Sequence, residues 1–347
     1  MWKVMRSAGV DALIITSPEL IRYLTGFTGS EALFLLSRKE GRLFVDSRYT
    51  EQARNQCRNV RTVECAKKTD GVIRSLLELG LKKVGFDPQE FTVAQKKVFD
   101  AKGLFNLVGI PPDVMESVRS KKDAAALKHI RKAAHIASSA FLEVINSVRV
   151  GSREEEVALQ LEFTIRKRGA ESVPFPIIVA SGLRGALPHG LASGKKIEKG
   201  DFVTMDFGSV YKGYCSDETC TVVFGRPERR QKRVYQAVKD AHDKAISSIK
   251  KGIAAGRIDA VARNVVEKAG LGKYFRHGTG HGVGLAVHEA PRIAPGQDTI
   301  LDKNMIFTVE PGVYIPGWGG VRIEDMVRVT NDGCELLSSV SKELMCL

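Results

Sequence analysis

Hydrophobic and polar positions change period several times along the chain, and each change marks an element. Over the first 110 residues, short apolar runs alternate with stretches of helical spacing. ALIIT (12–16) reads as a strand and PELIRYLTG (18–26) as a helix. ALFLLS (32–37) and GRLFVD (41–46) read as two strands paired across a turn from Arg38 to Gly41. A helix from Tyr49, a strand near Val60 to Val63, a helix over Gly71 to Leu79 and a strand in KKVGFD (82–87) follow. This alternation predicts an α/β domain with a mixed sheet. Ile110-Pro-Pro-Asp113 then breaks the pattern and marks a linker, so two domains are expected, 1–112 and 113–347. After the linker, the stretch from Ser117 to Val148 keeps apolar residues at helical spacing for about 28 residues, which predicts a long amphipathic helix. Ser152, with Glu155 three positions on, predicts a capping box for a second helix running through Arg168. FPIIVASG (175–182) has strand character and leads into a loop, LRGALPHG, that carries His189.

Composition narrows the class. With 43% hydrophobic and 27% charged residues, the 347-residue chain matches a soluble globular protein, and no run of about 18 apolar residues exists to span a bilayer. A basic start and a brief apolar stretch open the chain, but Asp11 interrupts them and no small-residue cleavage site follows, so no signal peptide is expected. Six scattered cysteines (57, 65, 215, 220, 334, 346) form no CxxC pair, which fits a reducing cytoplasm without disulfides. The formal charge of +13 raises the question of a nucleic-acid partner. Lys and Arg are nevertheless interspersed with acids along helical stretches such as 119–132 and 226–251, and no basic patch is interleaved with aromatics. A solvated basic surface is the reading, with neither nucleic acid nor membrane as partner.

Chemistry concentrates between Thr204 and Glu324. In VTMDFGSVYKGYCSDETCTVVFG (203–225), Asp206 follows an apolar run and Asp217 precedes a β-branched one, with turn candidates Gly208 and Gly213 between them. A hairpin there brings the two carboxylates together. HGTGHGVGLAVHEAP (277–291), a glycine-rich loop, supplies His277, His281 and His288; FTVEPGVYI (307–315) supplies Glu310, and GGVRIEDMVRV (319–329) supplies Arg322 and Glu324. Each glutamate lies in an apolar, strand-like run, where an inward carboxylate is costly unless compensated. Four converging carboxylates repel one another, and cations remove that problem. Oxygen-rich ligation with one imidazole suits Mn²⁺, Co²⁺ or Zn²⁺, and these five residues suffice for two divalent ions. A dinucleotide site is excluded, because GTGHGVG never offers GxGxxG.

The motifs DFG…GYCSD, HGTGHGVG, TVEPGVY and GVRIED resemble those of the pita-bread metallopeptidases, the methionine aminopeptidase, aminopeptidase P and prolidase group. DALIITSPELIRYLTGFTGS and LFVDSRY resemble the creatinase-type N-terminal domain. The resemblance implies a mixed-sheet α/β domain followed by a pita-bread α+β catalytic domain. It implies two divalent ions, Mn²⁺ first, with Asp206 on one ion, Asp217 and Glu324 bridging both, and His281 and Glu310 completing the second. His189 is then expected at the substrate pocket, and His277 and His288 as hydrogen-bond donors to substrate and tetrahedral intermediate. Glu310 is the expected proton shuttle beside a metal-activated water, and Arg322 is expected to orient the ligand carboxylates. Tyr23, Phe27, Arg48 and Tyr49 are assigned to packing or loops.

Two departures stand out: Thr219-Cys220-Thr221 replaces the usual Thr-Arg-Thr, and Ala286 replaces an acid before VHE. The N-terminal domain argues against methionine aminopeptidase, and the retained ligands argue against creatinase, a metal-free relative. They also argue against a non-catalytic binding protein of the same fold. Short proline-containing peptides are therefore the expected substrates. Lacking an identified clamp for a dipeptide carboxylate, the sequence favours Xaa-Pro aminopeptidase over Xaa-Pro dipeptidase. The resemblance also implies a homodimer.

Overall fold

The structure is a computed structural model that describes residues 1–347. The chain divides into two units, Met1–Arg119 and Ser120–Leu347. In the first, six strands form one sheet: β1 (Ala12–Ile15), β2 (Leu33–Ser37), β3 (Gly41–Val45), β4 (Arg61–Glu64), β5 (Lys83–Phe86) and β6 (Asn106–Gly109). Their order is β4-β3-β2-β1-β5-β6. β1 runs antiparallel to β2 and parallel to β5, so the sheet is mixed. All four residues of β1 are buried, as expected of a central strand covered on both faces. Between β1 and β2, the helix Pro18–Thr25 starts at Ser17, whose Oγ accepts from the Leu20 N–H at 3.3 Å, and stops at Gly26 with φ 80°. Phe27 is buried and packs edge-on against Tyr49, with ring centroids 5.9 Å apart. Arg48 pairs with Asp46 at 2.8 Å and Glu31 at 3.1 Å.

The second unit carries twelve further strands. β7 (Ile178–Ser181), β8 (Phe202–Phe207) and β11 (Glu218–Val223) form an antiparallel sheet; β9 (Val210–Tyr211) and β10 (Tyr214–Cys215) make a small hairpin between β8 and β11. A five-stranded sheet, ordered β13-β12-β14-β17-β18, contains β12 (Gly280–Gly282), β13 (Glu289–Ile293), β14 (Ile306–Val309), β17 (Asp325–Val329) and β18 (Cys334–Leu336). β15 (Gly312–Ile315) and β16 (Gly319–Arg322) pair with each other. Helices Ala124–Ile145 and Glu154–Lys167 pack on the three-stranded sheet, where Phe141 stacks on Phe207 at 4.9 Å. Helices Arg229–Ser247 and Ala255–Lys268 cover Phe307, Val309 and Val327 of the larger sheet. Burying these apolar faces leaves the opposite faces for the polar cluster described below.

Several expectations are corrected. Asp123, not a residue near Ser117, caps the long helix, its Oδ1 accepting from the Ala126 N–H at 2.8 Å. Pro112 opens a short helix, Pro112–Ser117, because proline at N1 loses no needed N–H. The Ser152 hydroxyl accepts from the Arg149 N–H instead of capping, and the Glu156 carboxylate receives the Arg153 N–H at 3.2 Å. Gly213 takes φ 73° in the β9–β10 turn, whereas Gly208 is required by closeness: a Cβ there would meet the Ser216 carbonyl at 2.0 Å. The six cysteines are all free thiols, and no helix is long and apolar enough to cross a membrane.

Candidate metal centre

Strand register assembles the cluster. Asp206 on β8 lies opposite Thr219 on β11, and Thr219 pairs in turn with Glu324, which joins β16 to β17. Asp217 precedes Thr219 by two, so alternation turns both to the same face. Glu310 follows β14, and Glu324 lies between β16 and β17, so both carboxylates stand at strand ends. His281 lies on β12, a strand and not a loop, flanked by β13 and β14. The glycines beside it permit that squeeze: a Cβ on Gly280 would stand 1.9 Å from the Thr308 carbonyl, and one on Gly282 2.3 Å from that of Ala290. The Glu310 N–H donates to the Thr279 carbonyl at 2.7 Å, and the His281 N–H donates to Thr308 Oγ1 at 3.1 Å.

Ligating atoms of Asp217, His281 and Glu324 all lie within 4.8 Å of one another. His281 Nε2 is 3.6 Å from Asp217 Oδ2 and 3.5 Å from Glu310 Oε1. Its Nδ1 is 3.2 Å from the Gly282 carbonyl, which accepts only, so Nδ1 carries the proton and the neutral ring aims a lone pair at two carboxylates. Burial, above all, holds the imidazole below its usual pKa. Burial also drives the Asp217 carboxyl well above its usual range, followed by the charges of Glu324, Asp206 and Glu310. Glu324 is raised in the same way by burial, then by Glu310 and Asp206, and Glu310 is raised chiefly by burial. Asp206 Oδ1 is buried with no hydrogen-bond partner.

A facing lone pair, an orphaned carboxylate oxygen and crowded acids pushed toward protonation share one remedy, divalent cations. The donor set, four carboxylates and one imidazole, fits them.

Around this cluster Arg322 acts as a hub. Its Nη2 donates to Asp206 Oδ2 at 2.7 Å, its Nη1 to Tyr314 Oη at 2.8 Å and to the Pro188 carbonyl at 3.0 Å, and its Nε to Thr219 Oγ1 at 3.2 Å. Burial opposes its charge, but Tyr314, Asp206 and Glu310 outweigh that and raise its pKa well above the usual value. Thr219 Oγ1 donates its own hydrogen bond to Glu324 Oε2 at 2.6 Å. Tyr314 lies 3.1 Å from His277 Nε2, while His277 Nδ1 is 2.7 Å from the Gly278 carbonyl. Burial lowers the His277 pKa, so the neutral ring donates through Nδ1 and accepts from Tyr314 through Nε2. His288 stands with its ring 4.2 Å from that of His281, its pKa pushed down to about 4 by burial and then by His281. His189 is exposed on the loop that Arg322 holds through Pro188, near enough for its charge to act on His288. Tyr314 was not singled out in the sequence, and Thr219 only within the Thr219-Cys220-Thr221 departure; their signal was proximity, four residues after Glu310 and two after Asp217.

The chain is similar to known proteins over nearly its whole length. A model of metallopeptidase family M24 matches residues 128–331, and one of the creatinase/prolidase N-terminal domain matches 2–120. The Xaa-Pro dipeptidase of Pyrococcus horikoshii is 38% identical, covering 98% of this chain and 96% of that protein. Among solved structures, an Xaa-Pro dipeptidase from Bacillus anthracis aligns with a TM-score of 0.95 at 43% identity, over 99% of this chain and 97% of that one. The X-Pro aminopeptidase from Thermotoga maritima aligns with a TM-score of 0.91 at 36% identity, over 99% and 98%. A creatinase-type N-terminal domain followed by a pita-bread domain is the architecture these matches share with the chain.

Proposed function

Because the chain belongs to metallopeptidase family M24 and is a peptidase, we propose that it is an Xaa-Pro dipeptidase holding two divalent ions, Mn²⁺ first, on Asp206, Asp217, His281, Glu310 and Glu324. The observation that carries the metal reading is the His281 lone pair facing Asp217 and Glu310 at 3.6 and 3.5 Å. Support for the dipeptidase comes from relatives of that name that match nearly end to end. They displace the aminopeptidase preferred from sequence alone, which remains the second reading because of the Thermotoga neighbour.

Divalent ions bound here supply Lewis acidity, polarising the scissile carbonyl and acidifying water. Glu310 accepts the proton of the attacking water and delivers it to the prolyl nitrogen, which must be protonated to leave. The products are the carboxylate of residue X and proline with a charged secondary amine, the two protons of the water ending on the prolyl nitrogen. Proline's missing N–H removes the backbone hydrogen bond on which most peptidases rely, which accounts for a dedicated site. Arg322 orients the Asp206 carboxylate and fixes Tyr314, which in turn sets the tautomer of His277.

With Mn²⁺ supplied, kcat/KM for Ala-Pro is expected to exceed that for Ala-Pro-Ala by about 10²-fold, the cost of about 2.7 kcal/mol in misplaced contacts. The reverse order selects the aminopeptidase, and cleavage of neither rejects Xaa-Pro specificity.

A further inference from the structure

Behind the cluster, on the opposite face of the same strands, lies a second buried charged group that the peptidase chemistry does not use. The residues following the two shared ligands are both acids: Glu218 follows Asp217, and Asp325 follows Glu324. Alternation along β11 and β17 sends them away from the metal-binding face. Each is nearly inaccessible, at 2% and 4% exposure. One cation serves both. Lys342, from the segment that follows β18, donates to Glu218 Oε1 at 2.6 Å, lies 3.3 Å from Asp325 Oδ1, and reaches Cys220 Sγ at 3.5 Å. Glu218 is held further by the Ser138 hydroxyl at 2.5 Å and the Val340 N–H at 3.2 Å. His242 Nε2 stands 3.2 Å from Asp325 Oδ2. The backbone of the same segment is tied in, the Lys342 carbonyl accepting from Tyr235 Oη at 3.1 Å and Met345 O accepting from the Val223 N–H at 3.0 Å.

We propose that Lys342 is a positioning residue for the metal centre: by holding Glu218 and Asp325 together from behind, its ammonium fixes the separation of Asp217 and Glu324 in front. The geometry explains why one lysine matters at such a distance from the chemistry. Asp217 and Glu324 immediately precede different strands, β11 and β17, and are joined by the Thr219 side-chain bond and the Thr219–Glu324 backbone bridge. On the opposite face the Lys342 bridge ties the start of β11 to the start of β17, so the two carboxylates are held from both sides. This inference rests on the two-ion reading above.

The test compares ion-free protein titrated with Mn²⁺ by calorimetry, and the visible absorption of the Co²⁺ form, across four chains: wild type, Lys342→Arg, Lys342→Met, and Cys220→Arg/Lys342→Met. The double variant returns a cation to the same place from β11. Lys342→Met is expected to unfold cooperatively but to bind Mn²⁺ about 10–100-fold more weakly, the cost typical of losing an outer partner of a metal ligand. Its Co²⁺ spectrum is expected to lose intensity and broaden. Lys342→Arg and the double variant are expected to bind within about threefold of wild type, since both retain the cation. A lysine of merely structural value would lower the melting midpoint and leave the isotherm of the folded protein unchanged. A folded Lys342→Met with the wild-type isotherm overturns the proposal. Should Lys342→Met not fold, the double variant decides: wild-type affinity upholds the proposal, and weakened affinity or failure to fold overturns it. Wild type that takes up no divalent ion refutes the metal reading itself, a separate outcome.

Discussion

Asp217→Ala is expected to reduce turnover by at least about 10³-fold, the loss that corresponds to several kcal/mol of charge stabilisation in the transition state. Asp217 faces the imidazole of His281 at 3.6 Å and lies within reach of the charges of Glu324, Asp206 and Glu310. The fold is expected to survive. In the ion-free protein the variant should melt no lower than wild type near neutral pH, because the removed acid is one that burial and three like charges push toward protonation. With ions present the order reverses. Wild type gains about 2.7 kcal/mol at an ion concentration a hundredfold above Kd, while the variant gains less. Thermal melts with and without chelator, alongside a dipeptide assay, check both halves. Unchanged activity removes Asp217 from the site.

Arg322→Met is expected to cost about 3–5 kcal/mol of stability, the usual consequence of removing one partner from a buried ion pair. The guanidinium is 4% exposed and serves Asp206, Tyr314, Thr219 and the Pro188 carbonyl. Its loss strands a buried carboxylate and releases the loop that carries His189. Arg322→Lys is expected to rescue little, because an ammonium cannot reach four partners in the fixed fork of a guanidinium. Urea unfolding of the ion-free proteins measures this. A loss below about 1 kcal/mol, the level of an exposed pair, contradicts the hub role.

Much of this was legible in the chain. The apolar runs of β1, β2, β3 and β5 and the helix between Ser17 and Gly26 announce themselves by period and caps. All five proposed ligands lie in short motifs whose glycines have a steric reason, as at Gly280 and Gly282. What escaped the sequence depends on distant partners. The helix start at Asp123 competed with an equally helical-looking stretch before it, and Ser152 was diverted to Arg149 by a local turn. Cys220 read as a departure without a role, because Lys342, which approaches it, lies more than a hundred residues away in sequence. Periodicity carries no trace of such a contact.

The most direct measurement is a Mn²⁺ titration of ion-free protein near pH 6–7 in two buffers of different ionisation enthalpy. Burial and like charge raise Asp217 and Glu324 and burial raises Glu310, so a cation bound there displaces protons from them, whereas burial disfavours the charged form of His281. Two ions per chain are expected to bind with net release of protons, fading as pH rises past the raised carboxyl values. No uptake of ions, with a melting midpoint indifferent to chelator, contradicts it.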